Sequence, residues 1–279
     1  MIIVAGGDSF VFGSELKDQF GIEPSKFTYP ALLAKECNFE YRCIARPGSA
    51  NNAISRLIIS ECEKIKENNI GVIVTWTFTH RYEFRFNYDT QQRYSPWYSI
   101  NSWVTLDDHG EILDEYRTKN LSELEMQKSY FERAKKIGIS DFAKTFYKHV
   151  GASEYYELYT SLREILFLQL YFEQNNIPYL FLPADNHFFD HPNYYRQRDE
   201  YIDSLYKQIK WNHWFFFESG TQANETKEPR GFYQWAIENK YPVGVTHPLE
   251  AAHADAAKLI KEKFNELVKK PLEQNSIRN

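Results

Sequence analysis

Residues 1–13 read MIIVAGGDSFVFG. An apolar run from Met1 to Ala5 ends at once in Gly6-Gly7-Asp8-Ser9. A short continuous apolar run closed by turn residues is the pattern of a strand buried on both faces, as in parallel sheets. Ser9 then stands just past the carboxyl end of the first strand, where ligands of open α/β sheets gather. The turn admits two readings. Asp8 or Ser9 can be a helix cap. Alternatively, Ser9 is a nucleophile, since backbone N–H groups at a helix start favour developing negative charge.

Downstream, the strand pattern recurs. Residues 29–36 (YPALLAKE) have helical spacing, and residues 40–45 (EYRCIA) read as a second strand ended by Pro47-Gly48. Residues 52–66 form an amphipathic helix with Ile54, Leu57, Ile58 and Cys62 on one face, and residues 71–75 (GVIVT) are a third strand. This alternation predicts an α/β fold, three layers α/β/α around a central parallel sheet. The rhythm breaks at residue 82. An aromatic-rich insertion over about 82–150 opens with a hairpin and lid, in which Asp108-His109-Gly110 marks a turn. Residues 121–147 and 154–175 are helical, with a break near Gly138. Residues 177–183 (IPYLFLP) return to the core-strand pattern, with Asp185 just past their end. A charged helix over 194–210, a last short strand over 211–217, a loop over 218–230 and helices over 231–239 and 249–268 complete the chain, before a polar tail at 271–279. The core units are interleaved with the insertion, so residues 1–270 read as a single domain.

A chain of 279 residues can bury a substantial core, and 43% hydrophobic with 25% charged residues is the balance of a soluble protein. The net charge of −5 argues against nucleic acid as a partner. No apolar run is long enough to span a bilayer, so no membrane partner is expected. The N-terminus lacks a basic n-region, which predicts folding in a cytoplasm, with release by lysis still open. Cys37, Cys43 and Cys62 are too sparse for a disulfide framework. His187 and His191, flanked by Asp185 and Asp190, have a metal-ligand spacing. Pro192 and the preceding strand make that segment a loop, so no metal site is expected.

A serine nucleophile needs a base. His247 precedes Pro248 at the mouth of a long helix, and proline suits a first helical turn. His253 lies inside that helix. Either histidine can equally be structural. Gly48 and Asn51, after the second strand, lie on the same sheet edge as Ser9. They read as N–H donors to a ligand or as a turn followed by a helix cap.

Taken in order, Gly7-Asp8-Ser9, Pro47-Gly48-Ser49-Ala50-Asn51-Asn52 and Thr246-His247-Pro248 resemble the blocks of the SGNH, or GDSL-type, hydrolase superfamily. The resemblance implies a flavodoxin-like SGNH fold and a serine hydrolase that cleaves ester or O-acetyl groups with no metal or organic cofactor. It makes Ser9 the nucleophile, His247 the general base, and the N–H groups of Ser9 and Gly48 oxyanion donors. Two positions depart from the family pattern. The block after the third strand usually carries Gly-x-Asn-Asp; residues 74–81 (VTWTFTHR) hold no asparagine, leaving Thr77 or Asn51 as third donor. The family also places an aspartate three residues before its histidine, where this chain has Gly244. Asp185 or Glu83 would then orient His247, or a backbone carbonyl would do so in a Ser–His dyad. Residues 76–83 (WTFTHRYE) and 231–235 (GFYQW) also resemble a phage-associated branch, in which Arg81 would touch substrate near Ser9. From the residues alone, Arg81 reads equally as the partner of Glu83. Tyr94, Trp97, Tyr98 and Trp103 suit stacking on the rings of a carbohydrate ester, or an ordinary packed hairpin. The alternative function is a binding or structural protein on the same fold with weakened catalysis, such as a phage-particle component.

Overall fold

The structure, a computed structural model, describes residues 1–20, 23–65, 69–86, 97–101, 121–186, 199–218 and 229–276. Its centre is a four-stranded parallel sheet in the order β2–β1–β3–β6, built from β1 (Ile2–Gly6), β2 (Glu40–Cys43), β3 (Ile70–Trp76) and β6 (Tyr179–Pro183). Ala5 lies opposite Cys43 on one side and Ile73 on the other, so the loops after β1, β2 and β3 leave from one edge.

Alternation along the strands divides the core. Ile2, Val4, Val72, Val74 and Phe181 face α3 (Asn51–Lys64), α6 (Glu154–Gln174) and α7 (Glu200–Gln208). Ile3, Ala5, Ile73, Leu180 and Leu182 face α2 (Tyr29–Glu36), α8 (Phe232–Glu238) and α9 (Glu250–Ser276). Both faces of the sheet are therefore covered by helices, which explains why β1, β3 and β6 read as apolar runs, while the edge strand β2 is only partly buried. Helix α9 continues past residue 268 to Ser276, so the segment expected as a tail begins inside the helix.

Beyond β6 the sheet stops short of expectation. Residues 211–217 begin with a 3-10 turn, Trp211–His213, and contribute one parallel bridge, Phe181 to Trp214. The residues that would have opened a strand are spent in the turn. Phe217–Glu218 (β7) instead pairs antiparallel with Pro229–Arg230 (β8), inside the segment expected as a loop.

The insertion has a small core of its own. Strands β4 (Tyr82–Arg85) and β5 (Trp97–Ile100) pair antiparallel. They pack with α4 (Leu121–Lys136) and α5 (Ser140–Phe146) through Tyr82, Ile100, Ala134, Ile139 and Ala143. Gly138, at φ 76°, makes the break between the two helices. The turn at Asp108-His109-Gly110 lies outside the described residues. Among the described residues, no helix is long and apolar enough to cross a membrane.

Candidate active site

Strand β1 delivers the chain to Asp8, which caps the single-turn helix α1 (Ser9–Phe12): Asp8 Oδ1 accepts the Phe10 N–H at 3.0 Å. Asp8 Oδ2 accepts from Thr77 Oγ1 at 2.6 Å and from Arg81 Nη1 at 2.9 Å. The carboxylate is fully buried, and this pairing is what makes its burial affordable in energy. With Asp8 as the cap, the Ser9 hydroxyl is left for another partner.

That partner is His247, whose Nε2 lies 2.7 Å from Ser9 Oγ. The imidazole packs against Phe10, with ring centroids 4.9 Å apart. Its loop is closed by the Gly244 N–H donating to the His247 carbonyl at 2.9 Å and by a bridge between Val243 and Pro248. The other ring nitrogen, Nδ1, lies 2.7 Å from Glu15 Oε1. Glu15 Oε1 also accepts the Thr246 hydroxyl at 2.9 Å, and Oε2 accepts the Val245 N–H at 2.5 Å. Burial alone would raise the Glu15 carboxyl; the bonds and charge of His247 and the bonds from Thr246 outweigh it and hold the group at about 2. Glu15 is thus a carboxylate at neutral pH. It fixes the proton on Nδ1 and leaves Nε2 to accept from Ser9.

The carboxylate on His247 is therefore Glu15, and neither Asp185 nor Glu83. Asp185 is buried past the end of β6, where its backbone packs so closely on Gly231 that a side chain there would collide with it. Glu83 is held by Arg56 in a two-pronged pair at 2.8 and 2.7 Å. Glu15 carries no motif of its own. Its signal in the sequence is indirect: Gly244 leaves empty the place where an acid was expected, and a Cβ there would collide with Glu15 Oε2.

The other buried histidine serves the scaffold. His253 Nδ1 accepts the Tyr29 N–H, the first of α2, at 3.2 Å. Its ring stacks on Tyr29 at 5.7 Å. Burial, then the charge of His247, depress it to about 3, so it is neutral.

Gly48 sits in the turn after β2 at φ 75°, a conformation glycine adopts without strain. The Arg46 N–H donates to the Gly7 carbonyl at 3.3 Å and ties this turn to the serine loop. Among the described residues, neither the Ser9 N–H nor the Gly48 N–H has a hydrogen-bond acceptor. The two side chains expected as third donor are occupied. Asn51 accepts the Thr77 N–H at 2.9 Å and donates to the Thr77 carbonyl at 3.2 Å and to Ser161 Oγ at 3.0 Å. The single hydroxyl proton of Thr77 goes to Asp8. Both residues brace the loop after β3, and the structure gives neither a free donor.

Arg81 pairs with Asp8 rather than Glu83, and its guanidinium lies over Phe78, 4.5 Å from the ring centroid. Trp97 lies under the Arg56 guanidinium at 4.4 Å, and Tyr98 packs on the core of the insertion. Both thus serve the packed-hairpin reading. Tyr94, Trp103, His187, Asp190 and His191 lie outside the described residues. Among the described residues, no cluster of three or more His, Cys, Asp or Glu is arranged to hold a metal ion.

No protein-family model matches the chain, and no curated protein does. Among solved structures, the chain is similar to a carbohydrate esterase family 2 enzyme with a carbohydrate-binding domain from Corynascus thermopiles (Myceliophthora fergusii). The identity is 10% and the TM-score 0.45, over 96% of this chain and 66% of that one. The chain thus spans just under two thirds of that protein's length.

Proposed function

We propose that this protein is a serine hydrolase of the SGNH type, cleaving ester or O-acetyl groups through Ser9, His247 and Glu15. The observation that carries the reading is the unbroken relay from Ser9 Oγ to His247 Nε2 at 2.7 Å and from His247 Nδ1 to Glu15 Oε1 at 2.7 Å. Ser9 Oγ attacks the acyl carbon while Nε2 takes its proton, and Glu15 stabilises the imidazolium that forms. The tetrahedral oxyanion rests on the Ser9 and Gly48 N–H groups. The imidazolium protonates the leaving alcohol as the C–O bond breaks. Water then repeats the sequence on the acyl-enzyme, giving the free acid and restoring Ser9. No metal or organic cofactor takes part. An acetylated carbohydrate is the preferred substrate class.

The test is intact mass after treatment with a fluorophosphonate, on the wild type and on Ser9→Ala, His247→Ala and Glu15→Ala. The expected result is one adduct on the wild type, none on Ser9→Ala, and a strongly slowed reaction in the other two. A folded wild type that takes no adduct overturns the reading and favours a binding protein on an inherited scaffold.

A further inference from the structure

The nucleophile and the acid lie on one short turn. The Gly13 and Ser14 N–H groups both donate to the Ser9 carbonyl, at 2.9 and 3.0 Å, and the Leu16 N–H donates to the Gly13 carbonyl at 3.2 Å. Glu15, inside this turn, has φ 70°. A residue with a Cβ keeps that left-handed conformation only where contacts on both sides hold it. At the side-chain end the holders are the N–H groups of Val245 and Thr246, the Thr246 hydroxyl and His247. The bonds from Val245 and Thr246 face solvent, so water competes for each. At the backbone end Leu16 is buried, and the next residue, Lys17, donates its N–H to Glu250 Oε1 at 2.8 Å across 233 positions. The Lys17 ammonium lies over the Phe27 ring, 4.3 Å from its centroid, so Lys17 meets Glu250 through its backbone. Among the described residues this is the one hydrogen bond made by the Glu250 carboxylate.

Glu250 opens α9 and stands three residues after His247. The two segments therefore meet at three successive points: Ser9 with His247, Glu15 with Val245, Thr246 and His247, and Lys17 with Glu250. We infer that Glu250 is a positioning residue for the proposed hydrolysis: by holding the Lys17 N–H it keeps the turn that presents Glu15 in register with His247. This rests on the hydrolase reading above and extends it beyond the three residues of the relay. A carboxylate accepting a backbone N–H is a strong anchor. This one springs from the first turn of a 27-residue helix whose buried face, including Ala252, Ala256, Ile260 and Phe264, is packed in the core. Only Pro248 and Leu249 separate the anchor from the base, and the Leu249 N–H closes the base loop by donating to the Pro242 carbonyl at 2.9 Å. Anchor and base are thus carried by one packed unit, and the acid is tied to both. An acidic residue in a first helical turn also favours the helix through its charge, with no part for Lys17. The two roles respond differently to substitution.

The experiment compares Glu250→Gln with Glu250→Ala. Glutamine loses the charge but keeps an oxygen for the Lys17 N–H; alanine loses both. Fluorophosphonate labelling slows about 10-fold in Glu250→Ala, the scale of a small misplacement of a catalytic group. Glu250→Gln restores the rate to within about threefold of the wild type, as expected when the acceptor survives. In a Glu15→Ala background, where there is no acid to position, adding Glu250→Ala changes the rate by less than about twofold. Equal losses in the glutamine and alanine variants, or the same loss with and without Glu15, would leave Glu250 a helix-stabilising residue and overturn the inference. Amide hydrogen exchange reads the latch without turnover. Glu250→Ala speeds exchange at Lys17 and also at Val245 and Thr246, whose N–H groups Glu15 accepts, and Glu250→Gln keeps all three slow. Faster exchange at Lys17 alone would show that Glu15 holds its place without the latch, which also overturns the inference. A folded wild type that takes no adduct sinks the hydrolase reading instead, and the exchange result then still decides whether Glu250 holds Glu15 against the His247 loop.

Discussion

Gly244 and the carboxylate of Glu15 compete for one place: a Cβ on Gly244 would run into Glu15 Oε2. The carboxylate that meets His247 Nδ1 comes from 232 positions earlier, and Gly244, three residues before His247, leaves room for it. Gly244→Asp in the wild type displaces Glu15 and slows fluorophosphonate labelling by about 10-fold or more. In a Glu15→Ala background the collision is gone, and the same aspartate recovers part of the lost rate. Such a sign change is what a double-mutant cycle detects between residues in contact. Purely additive losses would show that the two positions do not share the task.

Glu15→Gln preserves shape and removes charge. The glutamine amide can donate to Nδ1, which favours the tautomer with the proton on Nε2 and blocks proton transfer from Ser9. The expected loss in labelling rate is about 10³–10⁴-fold, the scale of a carboxylate-to-amide change behind a catalytic histidine. A change below about threefold would mean that His247 works in a Ser–His dyad.

Acid should destabilise this fold in two separable windows. His253 is depressed to about 3 from an ordinary 6.5. Between those values the unfolded chain binds a proton and the native one does not, so stability falls with pH, by up to about 1.4 kcal/mol per pH unit. Glu15 is depressed to about 2 from 4.5, so its contribution is full above 4.5 and is lost as pH falls towards 2. That contribution is about 1–3 kcal/mol for a partly exposed carboxylate. Urea midpoints from pH 7 to 2.5 check both. His253→Leu flattens the decline between pH 6.5 and 4.5, and Glu15→Gln flattens it below 4.5. Unchanged slopes in both variants would contradict the assignment.

The sheet was legible because β1, β3 and β6 are buried on both faces and read as short apolar runs, and because Pro47-Gly48 closes the more exposed edge strand β2. The meeting of Ser9 with His247 was legible because Ser9 follows a recognisable strand end and His247 precedes a recognisable helix start. Glu15 was not, since it follows the αL residue Gly13, itself sits at φ 70°, and meets His247 across 232 positions. Local patterning carries no record of such a contact. The ion-pair partner expected for Arg81 was misplaced: the neighbour in sequence, Glu83, is drawn to Arg56, and the buried Asp8 takes the guanidinium. The segment at 211–217 was over-read because aromatic residues favour strands and turns of packed rings alike.

Asn51 separates a brace from a catalytic donor. All three of its hydrogen bonds go to Thr77 and Ser161, and the Thr77 backbone is fully buried. Asn51→Ala strips partners from a buried N–H and a buried carbonyl, at a cost of about 2–4 kcal/mol in unfolding free energy. Labelling of the protein that remains folded should change by less than about threefold. The opposite pattern, stability intact and rate down by about 10²–10³, is what removal of an oxyanion donor produces. It would mean that Asn51 leaves Thr77 when substrate arrives. With the brace reading, the donors left for the proposed oxyanion are the backbone N–H groups of Ser9 and Gly48, while Asn51 and Thr77 are engaged in holding the loop after β3.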